Sequence, residues 1–340
     1  MERRTIGAAA LGVGAVGLGC MPMSWAYSTS EQNGEESLRT VHAALDAGMS
    51  LLDTADMYGP FTNELLLGRV LRERRADAFV STKCGLLVGE NHIVANGRPG
   101  YVKRACDASL RRLQTDVIDL YQLHRPDPEI PVEETWGAMA ELVSAGKVRS
   151  LGYCAVGARA DRRGRTGERG RTPGVHDRTV GQLRRIQQVF PVSSVQAELS
   201  VWSREALETL LPWCMTRGIG FLAAMPLGNG YLSGTLTTGG GFEPDDVRAR
   251  HPRFTGEMMA ANQPVVAGLR RVARRHRGVG ATPAQVALAW LLAKGPHVVP
   301  VPGTKKARWA AENAAAASLA LTPQDLAEID ALPEAQGSWD

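Results

Sequence analysis

The stretch LLDTADMYG, residues 51–59, decides the fold of this chain. A short apolar run ends at Asp53, and Tyr58 follows five residues later in a segment that is typical of a loop. A (β/α)8 barrel presents its catalytic groups in this way, because its active site lies at the C-terminal ends of the strands. The same residues also fit a simpler structure, in which Asp53 caps the next helix and Tyr58 lies on the surface.

Two further strand-like segments end in titratable side chains. The run AFVSTKCG places Lys83 at the end of an apolar segment, and VIDLYQLHRPDP places His124 just after another. An acid, a phenol, an ammonium group and an imidazole therefore close successive segments. Because the strands of such a barrel present their C-terminal ends at one face, we expect the four side chains to meet there.

The remaining chain alternates strand-like and helix-like segments, which favours a single-domain (β/α)8 barrel over a doubly wound sheet. Helix start signals include Asn33 before two acids and the capping box that begins at Thr282. We predict an N-terminal strand pair, a loop over residues 84–100 and a short C-terminal helix after Thr322. The predicted barrel strands are 17–24, 49–52, 79–82, 117–121, 148–153, 194–197, 219–223 and 298–301, and the helices between and after them include 63–75, 99–112, 131–146, 179–189, 204–217, 282–293 and 305–317.

The composition predicts a cytoplasmic protein without a membrane span or a metal site. The chain has 340 residues, of which 44% are apolar, and it has no apolar run of the length that spans a membrane. Its five cysteines form no CxxC or Cys/His cluster, which predicts reduced thiols, no metal site and a cytoplasmic protein. The N-terminal run up to Cys20 is similar to a lipoprotein signal, but repeated glycines interrupt it, and we read it as strands.

The whole set of motifs resembles the aldo-keto reductase family. GLGCMPMS, LLDTADMYG, STKCG, DLYQLHRPDP, AGKVRSLG, PLGNGYLSG, PGTKK and AEN occur in the family's order and cover nearly the whole chain. The resemblance implies that Tyr58 is the general acid in carbonyl reduction, that Lys83 tunes it and that Asp53 anchors Lys83. His124 would orient the carbonyl oxygen of a small-molecule substrate. A neighbouring ammonium favours phenolate, so we expect the pKa of Tyr58 to fall below its free value.

The resemblance also implies a bound NADPH, because no side chain supplies a hydride. Gln196 would bond the carboxamide, and the glycine-rich loop 226–234 would surround the diphosphate with backbone N–H groups. A cation pair near a helix start suits a 2′-phosphate, which favours NADPH over NADH. The predicted cofactor contacts are Gln196, Pro226, Leu227, Gly228, Gly230, Leu232, Gly303, Thr304, Lys305, Lys306, Trp309, Glu312 and Asn313, of which the last two would reach the adenine.

Three positions depart from the family pattern. Cys154 and Ala155 stand where a Ser followed by Asn or Glu is usual, Ala224 precedes Met225 where an aromatic residue often stacks on the nicotinamide, and Trp309 replaces an Arg. We hypothesise that Met225 or Trp202 covers the nicotinamide ring instead. The predicted substrate pocket is a mostly apolar rim, made of Met23, Trp25, Tyr27, Leu86, Leu87 and Trp202.

Residues 159–178 form an arginine- and glycine-rich insert after the fifth strand. The insert holds seven arginines and three acids, and this excess equals the net charge of +4 of the whole chain. Two structures remain open: a lid over the catalytic face that meets an anion, or a flexible solvated insertion. RNA binding is not expected, because no aromatic residues alternate with the arginines.

Two other functions remain possible from the sequence. One is a barrel that retains the four polar residues but catalyses dehydration or isomerisation without hydride transfer. The other is a non-catalytic subunit that senses NADPH. The altered nicotinamide positions motivate the first of these alternatives.

Overall fold

Eight parallel strands form the sheet at the centre of the protein, as the sequence predicts. The computed structural model describes residues 1–7, 11–89, 92–155, 175–236 and 241–337. The sheet runs in the order β12, β11, β10, β9, β8, β5, β4, β3. The described strands are β1 (Arg3–Ile6), β2 (Leu11–Gly14), β3 (Leu18–Gly19), β4 (Leu51–Asp53), β5 (Phe79–Cys84), β6 (Leu86–Val88), β7 (Ile93–Ala95), β8 (Leu120–Leu123), β9 (Leu151–Cys154), β10 (Ser194–Glu198), β11 (Gly220–Ala224) and β12 (Val298–Pro300).

Backbone hydrogen bonds join the first and last strands of this sheet. The N–H of Gly17 donates to the carbonyl of Pro300 at 2.9 Å, and the N–H of Gly19 donates to the carbonyl of Pro302 at 3.0 Å. A parallel bridge between Gly19 and Gly303 continues this contact. The predicted (β/α)8 barrel is therefore confirmed, and its first strand is shorter than predicted because a 3₁₀ turn begins at Met21.

Helices follow the strands along the chain and cover the outside of the sheet. Asn33 caps the first of them by accepting a hydrogen bond from the N–H of Glu36 at 3.0 Å, and Thr282 forms the predicted capping box with Gln285. The described α-helices are α1 (Gly34–Asp46), α2 (Thr62–Arg74), α3 (Pro99–Leu113), α4 (Val132–Ser144), α5 (Val175–Ile186), α6 (Leu210–Met215), α7 (Gly256–Ala261), α8 (Gln263–Arg275), α9 (Pro283–Leu292), α10 (Ala307–Ala315) and α11 (Pro323–Asp330).

The predicted N-terminal strand pair is an antiparallel hairpin, β1–β2, which packs against one end of the barrel core. Ile6 packs so closely on Gly220 that a Cβ at residue 220 would lie 2.8 Å from Cγ2 of Ile6. Arg4 is buried and donates to the carbonyls of Leu292, Gly295 and Val298, near the end of α9. The inner core that the hairpin joins consists of Ile6, Val13, Leu51, Phe79, Leu120, Leu222, Val299 and Val301.

Several predicted boundaries are wrong. Residues 84–100 are not all loop, because β6 and β7 form a hairpin whose Leu86 and Val88 pack beside Tyr58. The helix predicted from residue 179 begins at Val175, and the helix predicted over 204–217 is reduced to α6, which carries Pro212 in its first turn. Between residues 235 and 281, where no element is predicted from the sequence, the structure has α7 and the amphipathic helix α8.

Residues 175–178 of the predicted insert form the first turn of α5, and the rest of the insert lies outside the described residues. Among the helices that the structure describes, none combines the length and the apolar character that a bilayer span requires.

Candidate active site

Asp53 lies at the end of β4 and accepts hydrogen bonds from four side chains of other barrel strands. Ser81 Oγ and Gln122 Nε2 reach its Oδ1 at 2.9 and 3.1 Å, while Lys83 Nζ and Gln196 Nε2 reach its Oδ2 at 2.7 and 3.0 Å. These donors come from β5, β8 and β10, so the parallel register of the barrel assembles them. The buried carboxylate is therefore held in one orientation by a complete set of donors.

Lys83 lies beneath Tyr58 and is almost completely buried. Its ammonium group donates to Asp53 and to the carbonyl of Thr54 at 2.8 Å, and it lies 5.2 Å from the ring centroid of Tyr58. Burial is the largest single effect on the pKa of Lys83 and lowers it, but the nearby charges, that of Asp53 first, and the hydrogen bond to Asp53 together raise it by more, so that the net shift is upward. Lys83 therefore presents a permanent positive charge to the phenol.

Burial dominates the titration of Tyr58, which is 9% exposed. It raises the pKa of Tyr58 to about 12, and the ammonium of Lys83 opposes this rise without cancelling it. The contribution of Lys83 has the direction expected from the sequence, but the net shift has the opposite direction. The reason is that removing a phenolate from water costs more here than the nearby cation returns.

His124 follows β8 and faces Tyr58 at the same end of the barrel. The two ring centroids lie 6.0 Å apart in an edge-to-face arrangement. Burial, together with the charges of Lys83 and Arg125, holds the pKa of His124 well below its ordinary value. Its buried Nδ1 has no hydrogen-bond partner among the described residues. The imidazole is therefore neutral near pH 7 and is able to hydrogen-bond a polar atom beside Tyr58.

A cavity of about 610 Å³ opens over these residues. Asp53, Tyr58 and His124 line it, whereas Lys83 lies behind them. The predicted cofactor contacts that also line it are Gln196, Pro226, Leu227, Gly230, Gly303, Thr304, Lys305, Lys306 and Trp309.

Four predicted cofactor contacts are not among the described residues that line this cavity. Gly228 and Leu232 are buried within the glycine-rich loop, and Asn313 is 4% exposed inside α10. Glu312 accepts a hydrogen bond from Thr282 Oγ1 at 2.7 Å, which draws its carboxylate towards the start of α9.

The loop after β11 forms a series of tight turns along the cavity. Its backbone has positive φ at Met225 (48°), Gly228 (54°), Asn229 (52°) and Gly230 (93°). Among the described residues, the N–H groups of Leu227 and Asn229 have no hydrogen-bond partner, whereas the N–H groups of Gly228 and Gly230 bond within the loop. Unpaired N–H groups in such a turn are suited to bind an anion.

The positive groups of the cavity lie near the start of α10. Lys305 is paired with Glu31 at 3.0 Å, which comes from the loop between β3 and α1. Lys306 is exposed, and Arg308 also lines the cavity, with its guanidinium 4.3 Å from the ring centroid of Trp309. Lys306 and Arg308 are therefore the cations of this region that remain accessible to an anionic ligand.

Some residues at the altered family positions line the cavity, whereas Ala155 is buried. Cys154 lines the cavity, with its Sγ 3.8 Å from Nη1 of Arg125, and Met225 lines it as well. Ala155 is buried, and its N–H donates to the carbonyl of Gln196 at 2.7 Å. Trp202, proposed with Met225 as a cover for the nicotinamide, is stacked on Tyr231 and is not among the cavity's described lining residues.

The predicted substrate rim is divided by the fold. Tyr27 lines the cavity, and Trp25 and Leu86 pack on the small cluster around Tyr58. Met23 is buried in the main core, and Leu87 is exposed on the outer side of the β6–β7 hairpin. Tyr27, Trp25 and Leu86 are therefore the rim residues that the fold brings nearest to Tyr58.

Several polar residues of the site are not predicted from the sequence. Ser81 and Gln122 bond Asp53, and Glu31 and Arg248 line the cavity. The alternation of Ser81 with Lys83 along β5, on the same face of a strand, is a signal that would have indicated the first. No local signal indicates Gln122, Glu31 or Arg248, because segments far apart in the chain bring them to the site.

Comparisons with known proteins agree with this architecture. A sequence model described as Aldo/keto reductase family matches residues 15–163 and 170–334. The glycerol dehydrogenase AKR11B4 from Gluconobacter oxydans is a similar structure, with 27% identity, a TM-score of 0.80 and coverage of 97% of this chain and 94% of that one. The holo form of AKR11C1 from Bacillus halodurans has 26% identity, a TM-score of 0.75 and coverage of 100% and 98%.

A third similar structure carries a cofactor. It is an aldo-keto reductase from Klebsiella pneumoniae in complex with NADPH, with 26% identity, a TM-score of 0.68 and coverage of 99% of this chain and 97% of that one. With the family model matched over nearly the whole chain and the barrel strands in place, the protein belongs to the aldo/keto reductase family of oxidoreductases.

Proposed function

We propose that this protein reduces an aldehyde or ketone to an alcohol with NADPH, and that Tyr58 is the general acid. The observation that carries the proposal is the meeting of Tyr58, His124 and the buried Lys83–Asp53 pair at one end of a cavity of about 610 Å³. A phenol and a neutral imidazole side by side suit a carbonyl oxygen that accepts one proton and one orienting hydrogen bond.

Each side chain has a distinct role in this reaction. Tyr58 donates its phenolic proton to the carbonyl oxygen as negative charge develops there. Lys83 stabilises the resulting phenolate, and Asp53 fixes the position of Lys83 through the 2.7 Å ion pair. His124 holds the carbonyl oxygen towards Tyr58 by a hydrogen bond from its neutral ring. When bound, NADPH supplies the hydride that reaches the carbonyl carbon.

The lining of the cavity fits a dinucleotide. The unpaired N–H groups of Leu227 and Asn229 would bind the diphosphate, and the ring of Trp309 would stack on the adenine. Lys306 and Arg308 provide the cations that a 2′-phosphate requires. Because of these two cations, we propose NADPH rather than NADH as the cofactor.

The direction and the location of the reaction also form part of the proposal. One similar structure is named a glycerol dehydrogenase, so small polyols with NADP⁺ belong among the tested substrates. All five cysteines are free and buried, which supports a reducing, cytoplasmic location.

The test is oxidation of NADPH, followed at its absorbance band, against a panel of aldehydes, ketones and keto-sugars. The variant Tyr58→Phe should lose at least about 100-fold in kcat and retain NADPH affinity. Tyr153→Phe is a matched control, because Tyr153 is also a buried tyrosine but donates to Gln182 at 2.6 Å. Tight NADPH binding without turnover of any carbonyl would instead indicate a sensing subunit, and turnover without NADPH oxidation would indicate acid–base chemistry alone.

A further inference from the structure

The glycine-rich loop that follows β11 packs against the indole of Trp202. We infer that Trp202 is a positioning residue that holds the loop 225–230 in the conformation that binds the cofactor diphosphate. This inference rests on the function proposed above. It replaces the role of rim or nicotinamide cover that the sequence favoured for Trp202.

The contact between Trp202 and the loop is unusually close. A Cβ added to Gly228 would lie 2.4, 2.5 and 2.6 Å from Cε2, Cζ2 and Nε1 of the indole. Gly228 also has a φ of +54°, so both its conformation and its contact require glycine. The edge of the indole therefore sets the position of the Gly228 backbone relative to the cavity.

The indole also holds the end of the loop. Its ring stacks on Tyr231 with a centroid distance of 4.9 Å and an interplanar angle of 15°. Tyr231 directly follows Gly230, and its hydroxyl bonds the carbonyl of Met259 in α7. Trp202 thus contacts the middle of the loop and the residue that ends it, from the side away from the cavity.

Polar contacts fix Trp202 itself. It lies in a turn closed by two backbone hydrogen bonds between Ser200 and Ser203, of 3.0 and 3.2 Å. Ser203 Oγ accepts from Nη1 of Arg253 at 2.8 Å, and the Arg253 guanidinium lies 5.1 Å from the centroid of the indole. The buried Nε1 of Trp202 has no hydrogen-bond partner among the described residues, so the contribution of this side chain is its shape.

A support of this kind is needed because the loop itself carries no cation between residues 225 and 230. Its capacity to bind an anion therefore depends on free backbone N–H groups such as those of Leu227 and Asn229, whose orientation is set by the positive φ angles of the loop. Binding is tighter when such geometry exists before the ligand arrives, because less ordering occurs on association.

The experiment compares Trp202→Leu with Trp213→Leu. Trp213 is a matched control, because it is also buried and its Nε1 has no hydrogen-bond partner within the described part of the chain, but it lies in α6, outside the lining of the cavity over Tyr58. We expect Trp202→Leu to weaken equilibrium NADPH affinity by about tenfold or more, which corresponds to about 1.4 kcal/mol. Its kcat at saturating NADPH should stay within about threefold of the wild type, since the reacting groups are untouched.

A second hydride donor distinguishes a role of Trp202 in positioning the loop from a general loss of structure. Dihydronicotinamide riboside lacks the diphosphate, so its kcat/KM should change by less than about twofold in Trp202→Leu. Trp202→Phe, which keeps a ring against Tyr231 but removes the indole edge from Gly228, should show a smaller loss of NADPH affinity and serves if the leucine variant does not fold.

The outcomes are distinct for the two proposals. Equal NADPH affinities in the Trp202 and Trp213 variants, or equal losses with both donors, would overturn the role of Trp202 while the reductase activity stood. A wild-type protein that binds no NADPH would overturn the proposed function itself, and with it the diphosphate role of this loop.

Discussion

Removal of the Lys83 charge should destabilise the fold through Asp53. In Lys83→Met the carboxylate stays buried without its counter-ion, and breaking a buried pair in this way typically costs about 3–5 kcal/mol. The two side chains are 1% and 9% exposed, so solvent screens the pair little. Because Asp53 keeps three of its four donors, from Ser81, Gln122 and Gln196, we expect about 3 kcal/mol.

The assay is urea unfolding without cofactor, followed by far-UV circular dichroism. In a thermal scan of this 340-residue chain, a loss of about 3 kcal/mol should lower the melting temperature by about 4 °C. Lys103→Met is the matched control, because Lys103 pairs with Glu141 at 2.5 Å but the two side chains are 40% and 67% exposed. An exposed pair of this kind contributes at most about 1 kcal/mol.

A double variant decides whether the uncompensated charge is the cause. Lys83→Met combined with Asp53→Asn removes both charges, and Gln196 can rotate its amide to accept from the new side chain. We therefore expect the double variant to be more stable than Lys83→Met alone. If the two substitutions were simply additive, with each making the protein less stable, the reasoning from the buried ion pair would be refuted.

Three further outcomes follow from the site. Reduction should remain flat in rate from about pH 7 to 9, since burial raises the pKa of Tyr58 to about 12 and its proton is lost only near that pH; a basic limb below pH 9 would contradict this. His124 is neutral when folded but binds a proton below about pH 6.5 when unfolded, so stability should fall as the pH drops from 7 to 5, and His124→Phe should flatten this dependence in urea titrations. Cys154→Ser returns a hydroxyl to the cavity lining and should tighten NADPH binding by about two- to tenfold in fluorescence titration, whereas unchanged affinity would show that no polar group of the cofactor reaches residue 154.

The barrel could be predicted because its signals are local. Apolar runs that end in Asp53 and Lys83 specify buried strands, and caps such as Asn33 and Thr282 specify where helices begin. The predicted boundaries of strands and helices are wrong where local sequence signals conflict with tertiary packing. The sequence predicts a loop over Leu86–Val88, but Leu86 and Val88 pack beside Tyr58 and the segment pairs with Ile93–Ala95 in a hairpin.

The sequence also indicated which chemistry to expect, since Asp53, Tyr58, Lys83 and His124 each follow a strand-like run. The direction of the net pKa shift of Tyr58 was not predictable. It depends on how completely the phenol is buried, and burial is a property of all the elements around it.

By itself, the sequence therefore determined the order of the eight barrel strands, the family and the four polar side chains at the strand ends. Only the tertiary structure decided that Gln122 and Gln196 both bond Asp53, that Glu31 forms an ion pair with Lys305, and that the indole of Trp202 packs against Gly228. These contacts join segments far apart in the chain. Their distances are set by strand register and side-chain packing, which no local pattern of residues encodes.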